Sequence, residues 1–298
     1  MPALVMSEEQ LKEACLLEIS KLLASHCQSL SDFPGLPVPT SFTLASSSNR
    51  LLAAELCYNS GELLHQFHDK ISKLNAEQRL AFDEIMDSVY GDAGKSFFIN
   101  GSGGTGKTFL WQVICMKLRS ENKVVLCVAS SGIAALLMEG GRTAHSRFRI
   151  PVDLDAKSTC NIQQGSDLAE LIQRASLVIW DEVVMSHKHC VEAVDKSLRD
   201  ILRPRFQNSE TKPFGGLTMV FGGDFRQTLP IVPKGSRSDI VNSSIKRSYL
   251  WRYFKVITLT QNMRLARANC SPEEAEEIND FNIWLLHVGD APESNVFG

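Results

Sequence analysis

Apolar residues recur along this chain with two different rhythms. Over residues 7–25, Leu11, Cys15, Ile19 and Leu22 fall at helical spacing behind Ser7 and Gln10, a pair that can cap a helix start reciprocally. Pro34, Pro37 and Pro39 end that segment, and a second amphipathic helix is predicted from about 49 to 70. From Leu74 the rhythm changes to short apolar runs alternating with longer helical stretches, which predicts a parallel sheet covered by helices on both faces. Strands are expected over Ser96–Ile99, Lys123–Ala129, Leu177–Trp180, Leu217–Phe221 and Lys255–Leu259, and helices over Lys107–Ser120, Gly132–Glu139, Lys188–Leu202 and Pro272–Val288. The fold class is therefore α/β, with a small helical region in front. Residues 1–70 are expected to be a helical extension, 71–265 the α/β lobe, and 266–298 mostly one C-terminal helix.

Composition adds limits rather than direction. The 298 residues are 44% hydrophobic and 22% charged, with a net charge of -3, so a globular fold is expected and no global basic field points to nucleic acid. Any such binding must rest on a local patch. The eight cysteines are scattered, without a C-x-x-C pair, and several sit in apolar runs such as Val124–Val128, which suits reduced, buried thiols inside a cell. Glu8 and Glu9 precede any arginine, and no apolar stretch approaches about 18 residues, so neither secretion nor a membrane span is expected.

The chemistry begins at Gly101-Ser102-Gly103-Gly104-Thr105-Gly106-Lys107-Thr108, a complete G-x-x-x-x-G-K-T spacing between the strand Phe97-Phe98-Ile99 and the helical run that starts at Phe109. Its glycines let backbone N–H groups turn inward toward phosphate oxygens, and the following helix adds the positive end of its dipole. Lys107 is suited to the β- and γ-phosphates of ATP, and the Thr108 hydroxyl to Mg²⁺. The strand Leu177–Trp180 then runs into Asp181 and Glu182, at the sheet edge where ligands bind; Asp181 suits the metal and Glu182 the attacking water. Gln227, after the strand that ends near Phe221, can sense the γ-phosphate. Arg264, after the last strand, offers a cation for the charge on the transferred phosphoryl group.

Taken in order, these segments resemble the Petite Integration Frequency (PIF) family of ATP-dependent 5′-to-3′ DNA helicases, in particular its plant and Helitron-like branch. Leu74-Asn75-Ala76-Glu77-Gln78 is similar to the family's adenine-reading segment, which implies Gln78 on the adenine edge. Ala129–Ala135, with Thr143-Ala144-His145-Ser146, is similar to the motif that touches the DNA backbone. Gly223–Pro230 resembles the third motif and Asn262–Leu265 the fourth. The resemblance covers at least residues 74 to 265. It implies a RecA-like lobe using ATP and Mg²⁺, hydrolysis through Lys107, Thr108, Asp181 and Glu182, and γ-phosphate contacts from Gln227 and Arg264. It also implies single-stranded DNA near Ser131, Thr143 and His145, roles in DNA repair, recombination and telomere maintenance, and residence in the nucleus, with the mitochondrion as the alternative.

Some positions stay open between readings. His145 suits either a DNA contact or a capping or core role, and Phe148 either base stacking or the core. His187, His189 and Cys190 lack a second ligand pair and read as a solvated helix start rather than a metal site. Because only one strand-helix series is visible, the expectation is a chain that binds Mg-ATP, hydrolyses it weakly, and needs a second RecA-like lobe, absent from this sequence, to unwind a duplex. A non-catalytic nucleotide- or DNA-binding remnant and a P-loop ATPase acting on protein or metabolite are the competing classes.

Overall fold

The computed structural model describes residues 49–227 and 229–263 continuously, residues 29–33 and 35–37, and isolated positions nearer both ends. Six strands form one sheet: β1 (Ser96–Gly101), β2 (Val124–Ala129), β3 (Arg142–Thr143), β4 (Ala175–Asp181), β5 (Thr218–Gly223) and β6 (Phe254–Leu259). Their spatial order is β3-β2-β4-β5-β1-β6, and every pairing is parallel. The unbroken apolar runs of β2, β4 and β5 follow from this, since parallel strands at the centre of a covered sheet are buried on both faces.

Alternate residues of each strand feed two separate cores. Phe98, Leu126, Val128, Val178, Trp180 and Phe221 point to one face, under α7 (Asp167–Arg174) and α8 (Lys188–Ile201). Phe97, Ile99, Val125, Cys127, Ile179 and Val220 point to the other. That second face lies beneath α2 (Ser60–Ile71), α3 (Ala76–Tyr90) and α4 (Lys107–Ser120). Shorter helices complete the described chain: α1 (Arg50–Leu56), α5 (Gly132–Leu136), α6 (Ala144–Phe148) and α9 (Arg237–Ser243).

The structure corrects two expected helices and adds one strand. The helix expected from 49 to 70 is two helices, because Asn59 takes extended backbone angles and its side chain accepts the Glu62 N–H at 3.2 Å, which starts α2 afresh. The helix expected over Gly132–Glu139 ends at Leu136, and the chain turns back through Gly140 at φ +68°. The two-residue strand β3 was not anticipated; two residues carry no readable period. The expected helices over 7–25 and Pro272–Val288 fall mostly outside the described residues. Residues 49–71 lie directly on the lobe: Phe67 of α2 stacks on Phe82 of α3 with ring centroids 6.0 Å apart, and Glu55 of α1 is buried.

Because all strands run the same way, their C-terminal ends share one edge. The phosphate-loop sequence leaves β1 there, Asp181 closes β4, and Gly223 and Leu259 close β5 and β6.

Candidate functional site

At the end of β1 the chain enters a tight loop that only glycine accommodates at two points, with Gly104 at φ +93° and Gly106 at φ +80°. A Cβ on Gly106 would also collide with the side-chain nitrogen of Gln78. Thr105 is fully buried, and its hydroxyl donates to the Ser102 carbonyl at 2.9 Å, closing the loop on itself. Helix α4 then starts at Lys107 with no side chain capping its first turn. Its leading N–H groups and positive dipole end are thus left to serve an anion. The Lys107 ammonium donates to the carbonyls of Gly101 at 2.5 Å and Ser102 at 3.4 Å, and neither contact is an ion pair.

β4 delivers two carboxylates beside this loop. Asp181 is buried, and Glu182 adopts left-handed backbone angles at φ 52°, an uncommon conformation for this residue type. The Glu182 N–H donates to Asp181 Oδ1 at 3.0 Å. Burial raises the Asp181 carboxyl above its ordinary range, against the opposing pull of that hydrogen bond and the Lys107 charge. Glu182 is raised as well, first by burial and then by the charge of Asp181. Close packing keeps the pair in place: a Cβ on Gly222 of β5 would lie 2.6 Å from Asp181 Oδ1 and 2.8 Å from the Trp111 ring.

The parts converge. Ser102, Gly103, Gly104, Gly106, Lys107 and Thr108 line one cavity of about 590 Å³, together with Asp181, Glu182, Gln227 and Gln78. Gly101 and Thr105 are buried and do not line it. The Gln227 amide donates to Asp224 Oδ2 at 3.3 Å, which holds it against the cavity. Phe109, Leu137 and Met263 complete the wall and were not singled out from the sequence. Met263 lies in the segment read for Arg264, and Leu137 lies past a short helix, so neither was marked as a wall residue by its own side chain. Gln78 is fully buried, with its carbonyl accepting the Asn75 N–H at 3.1 Å and its amide nitrogen donating to the Thr105 carbonyl at 3.0 Å. Arg264 lies outside the described residues.

The residues expected near DNA sit elsewhere on the same sheet edge and do not line this cavity. Ser131 caps α5 and Thr143 caps α6, each hydroxyl oxygen accepting a backbone N–H. His145 is exposed to solvent with Nε2 4.0 Å from the Cys190 sulfur, and partial desolvation lowers its basicity. Phe148 is fully buried and packs on Trp180, so it belongs to the core. His187 caps α8 through its ring nitrogen, His189 pairs with Glu192 at 2.7 Å, and Cys190 is buried. Among the described residues no group of three or more His, Cys, Asp or Glu side chains could hold a metal ion. Nor is any described helix long and apolar enough to cross a membrane.

With this geometry in hand, comparison with known proteins is informative. The family model for PIF1-like helicases matches residues 73–296. A curated relative, the ATP-dependent DNA helicase Pif1 of Psychrobacter sp. (strain PRwf-1), is 31% identical over 57% of this chain and 25% of its own length. The ATP-dependent DNA helicase PIF1 of Danio rerio is 32% identical over 55% of this chain and 23% of its own length. Among solved structures, a Bacteroides sp Pif1 in complex with ADP-AlF4 superposes with a TM-score of 0.54 and 25% identity, covering 71% of this chain and 46% of that one. The chain thus spans about a quarter of each of these two curated relatives and about half of the solved structure.

Proposed function

The chain belongs to the PIF1-like helicase family, and from that premise we propose that it is the ATP-hydrolysing motor lobe of a DNA helicase, binding Mg-ATP in the cavity at the phosphate loop. The observation that carries the reading is the convergence of an uncapped helix start, a lysine whose bonds among the described residues go to carbonyls, the Asp181–Glu182 carboxylate pair and Gln227 on one cavity.

In this reading the N–H groups of Gly103 to Lys107 hold the phosphates, and Lys107 exchanges its carbonyl partners for β- and γ-phosphate oxygens. Thr108 and Asp181 would hold Mg²⁺. The fit is electrostatic: two neighbouring acids, both raised by burial, share the charge of Lys107, and a divalent cation would offset the charge that burial disfavours. When bound, the ion supplies neutralisation of the phosphate oxygens. Glu182, raised by its surroundings, is suited to take a proton from the attacking water, and Gln227 to orient the γ-phosphate. Arg264 would add a cation, and Gln78 would face the adenine edge.

We assign the single-stranded DNA path to Ser131, Thr143 and His145, and place the lobe at residues 71–265. Family membership is what supports the 5′-to-3′ direction, the roles in repair, recombination and telomere maintenance, and a nuclear or mitochondrial location. The test is ATP turnover with and without single-stranded DNA, for the native chain and for Lys107→Ala. DNA-stimulated turnover that the substitution abolishes is expected. Binding without turnover would favour a non-catalytic module, and turnover indifferent to DNA would favour another substrate class.

A further inference from the structure

One turn of helix ties the phosphate loop to the segment that leaves the last strand. Three of its residues take part. Gln78 donates to the Thr105 carbonyl inside the loop at 3.0 Å. Asn75 Nδ2 lies 3.2 Å from the Met263 sulfur, and the Met263 N–H donates to the Gly104 carbonyl at 2.9 Å. Glu77, between them, accepts the Thr260 N–H at 2.7 Å, the Thr260 hydroxyl at 2.5 Å and the Gln261 N–H at 3.4 Å.

These contacts fall where the backbone most needs them. β6 is an edge strand and ends at Leu259, so the N–H groups of Thr260 and Gln261 have lost the sheet ladder that served the residues before them. The Glu77 carboxylate replaces that ladder with charge-assisted hydrogen bonds, the stronger kind. Partial burial would raise this acid, but the bonds from Thr260 and Gln261 outweigh it and hold the carboxyl below its usual range. Met263, two residues beyond the clamped pair, is part of the cavity wall.

We infer that Glu77 is a positioning residue for nucleotide binding: by clamping Thr260 and Gln261 to the start of α3, it fixes Met263 against the cavity and, through the Met263 to Gly104 bond, fixes the tip of the phosphate loop. The assignment rests on the nucleotide reading of the cavity. An acid in the first turn of α3 also favours the helix dipole, but that effect would change stability alone and would not involve Thr260.

The test uses the full 298-residue chain with Glu77→Gln, Thr260→Val, the double variant and Thr260→Ser. Glu77→Gln keeps the shape but removes the charge, replacing the charge-assisted bonds to Thr260 and Gln261 with weaker neutral ones. Three quantities are measured: amide hydrogen exchange over 260–263, the dissociation constant of a fluorescent ADP, and the melting temperature. Glu77→Gln is expected to speed exchange at Gln261 and Met263 and to weaken ADP binding roughly tenfold, the scale of one charged hydrogen bond. Thr260→Val should give a smaller loss, Thr260→Ser should match the native chain, and the double variant should be no weaker than Glu77→Gln alone, since both remove one interaction. Unchanged exchange in Glu77→Gln would overturn the clamp. Faster exchange with native ADP affinity would overturn its role in binding, as would additive losses in the double variant or an affinity loss that only tracks melting. A native chain that fails to bind ADP, or Lys107→Ala binding it equally well, would overturn the nucleotide reading and this assignment with it, while the exchange rates alone would still report whether the clamp exists.

Discussion

The buried charge cluster beneath α1 gives the sharpest stability test of this fold. Glu55 reaches into the lobe, where its carboxylate accepts from Arg147 of α6 at 2.6 Å and sits 3.7 Å from Arg119 of α4. The side chains of Arg147, Arg119 and Glu55 are only 2%, 1% and 6% exposed. Arg119 also lies over the Tyr58 ring at 4.3 Å, and burial pushes the Tyr58 hydroxyl well above its ordinary range. Glu55→Ala therefore leaves two guanidinium groups in the interior without their only carboxylate among the described residues. Removing one partner of a buried ion pair costs about 3–5 kcal/mol, against a total stability on the order of 5–15 kcal/mol for a domain. Urea unfolding should show a midpoint lowered by about a fifth of its value or more with the slope unchanged. The exposed pair of Arg79 and Asp83, with both side chains 53% exposed, is the internal control, and Arg79→Ala should cost roughly 0.5 kcal/mol or less. A Glu55→Ala loss as small as that of Arg79→Ala would refute the argument, and would mean that α1 is an appendage that detaches without consequence.

Two more predictions concern the cavity. Burial holds Asp181 and Glu182 above the ordinary carboxylate range, so the folded chain retains their protons more tightly than the unfolded chain; their contribution to stability is fully present below the ordinary carboxylate pKa and is lost as pH rises through the raised folded values. Asp181→Asn should thus stabilise the nucleotide-free chain at neutral pH by about 1 kcal/mol while abolishing turnover, and equal melting temperatures for the two chains at neutral pH would contradict this. Gly106→Ala meets both a left-handed backbone and the Gln78 amide, so it should weaken nucleotide binding at least tenfold and destabilise the chain by about 1–2 kcal/mol; native affinity by titration calorimetry would count against the loop geometry.

How much of this was legible in the sequence depends on the range of the interaction. The central strands were readable because a buried parallel strand is apolar at every position, and the phosphate loop because its spacing is local and complete. The break at Asn59 was missed because both halves of 49–70 share one amphipathic rhythm, and a cap is a single side chain acting on a neighbour's N–H. Leu137 and Met263 reach the cavity only through tertiary placement. Glu77 stands in a segment read for Gln78 alone, and its partner lies 183 residues away. The burial of Glu55 had no signal at all, since an acid on a short amphipathic helix reads as solvated until its two arginines are seen.

The sheet itself brings the nucleotide cavity and the proposed DNA path together. β2 lies between β3 and β4, with Ala129 paired to Thr143 on one side and to Asp181 on the other. Just past the strand, the Ser130 N–H donates to the Asp181 carbonyl at 3.2 Å, and the Ser130 hydroxyl takes the Trp180 indole N–H at 3.1 Å and pairs with Ser186 at 2.8 Å. Ser131, the first residue of the proposed DNA path, is the next residue along. A shift of the Asp181 backbone on nucleotide binding therefore has one hydrogen bond and one peptide unit to cross before it reaches the cap of α5. Rigid strands and saturated hydrogen bonds leave few soft degrees of freedom between the two, whereas the cap itself is a single hydroxyl contact of 3.2 Å. The link from the cavity to the proposed DNA path therefore narrows to the Ser131 cap, whereas β2 is paired on both sides.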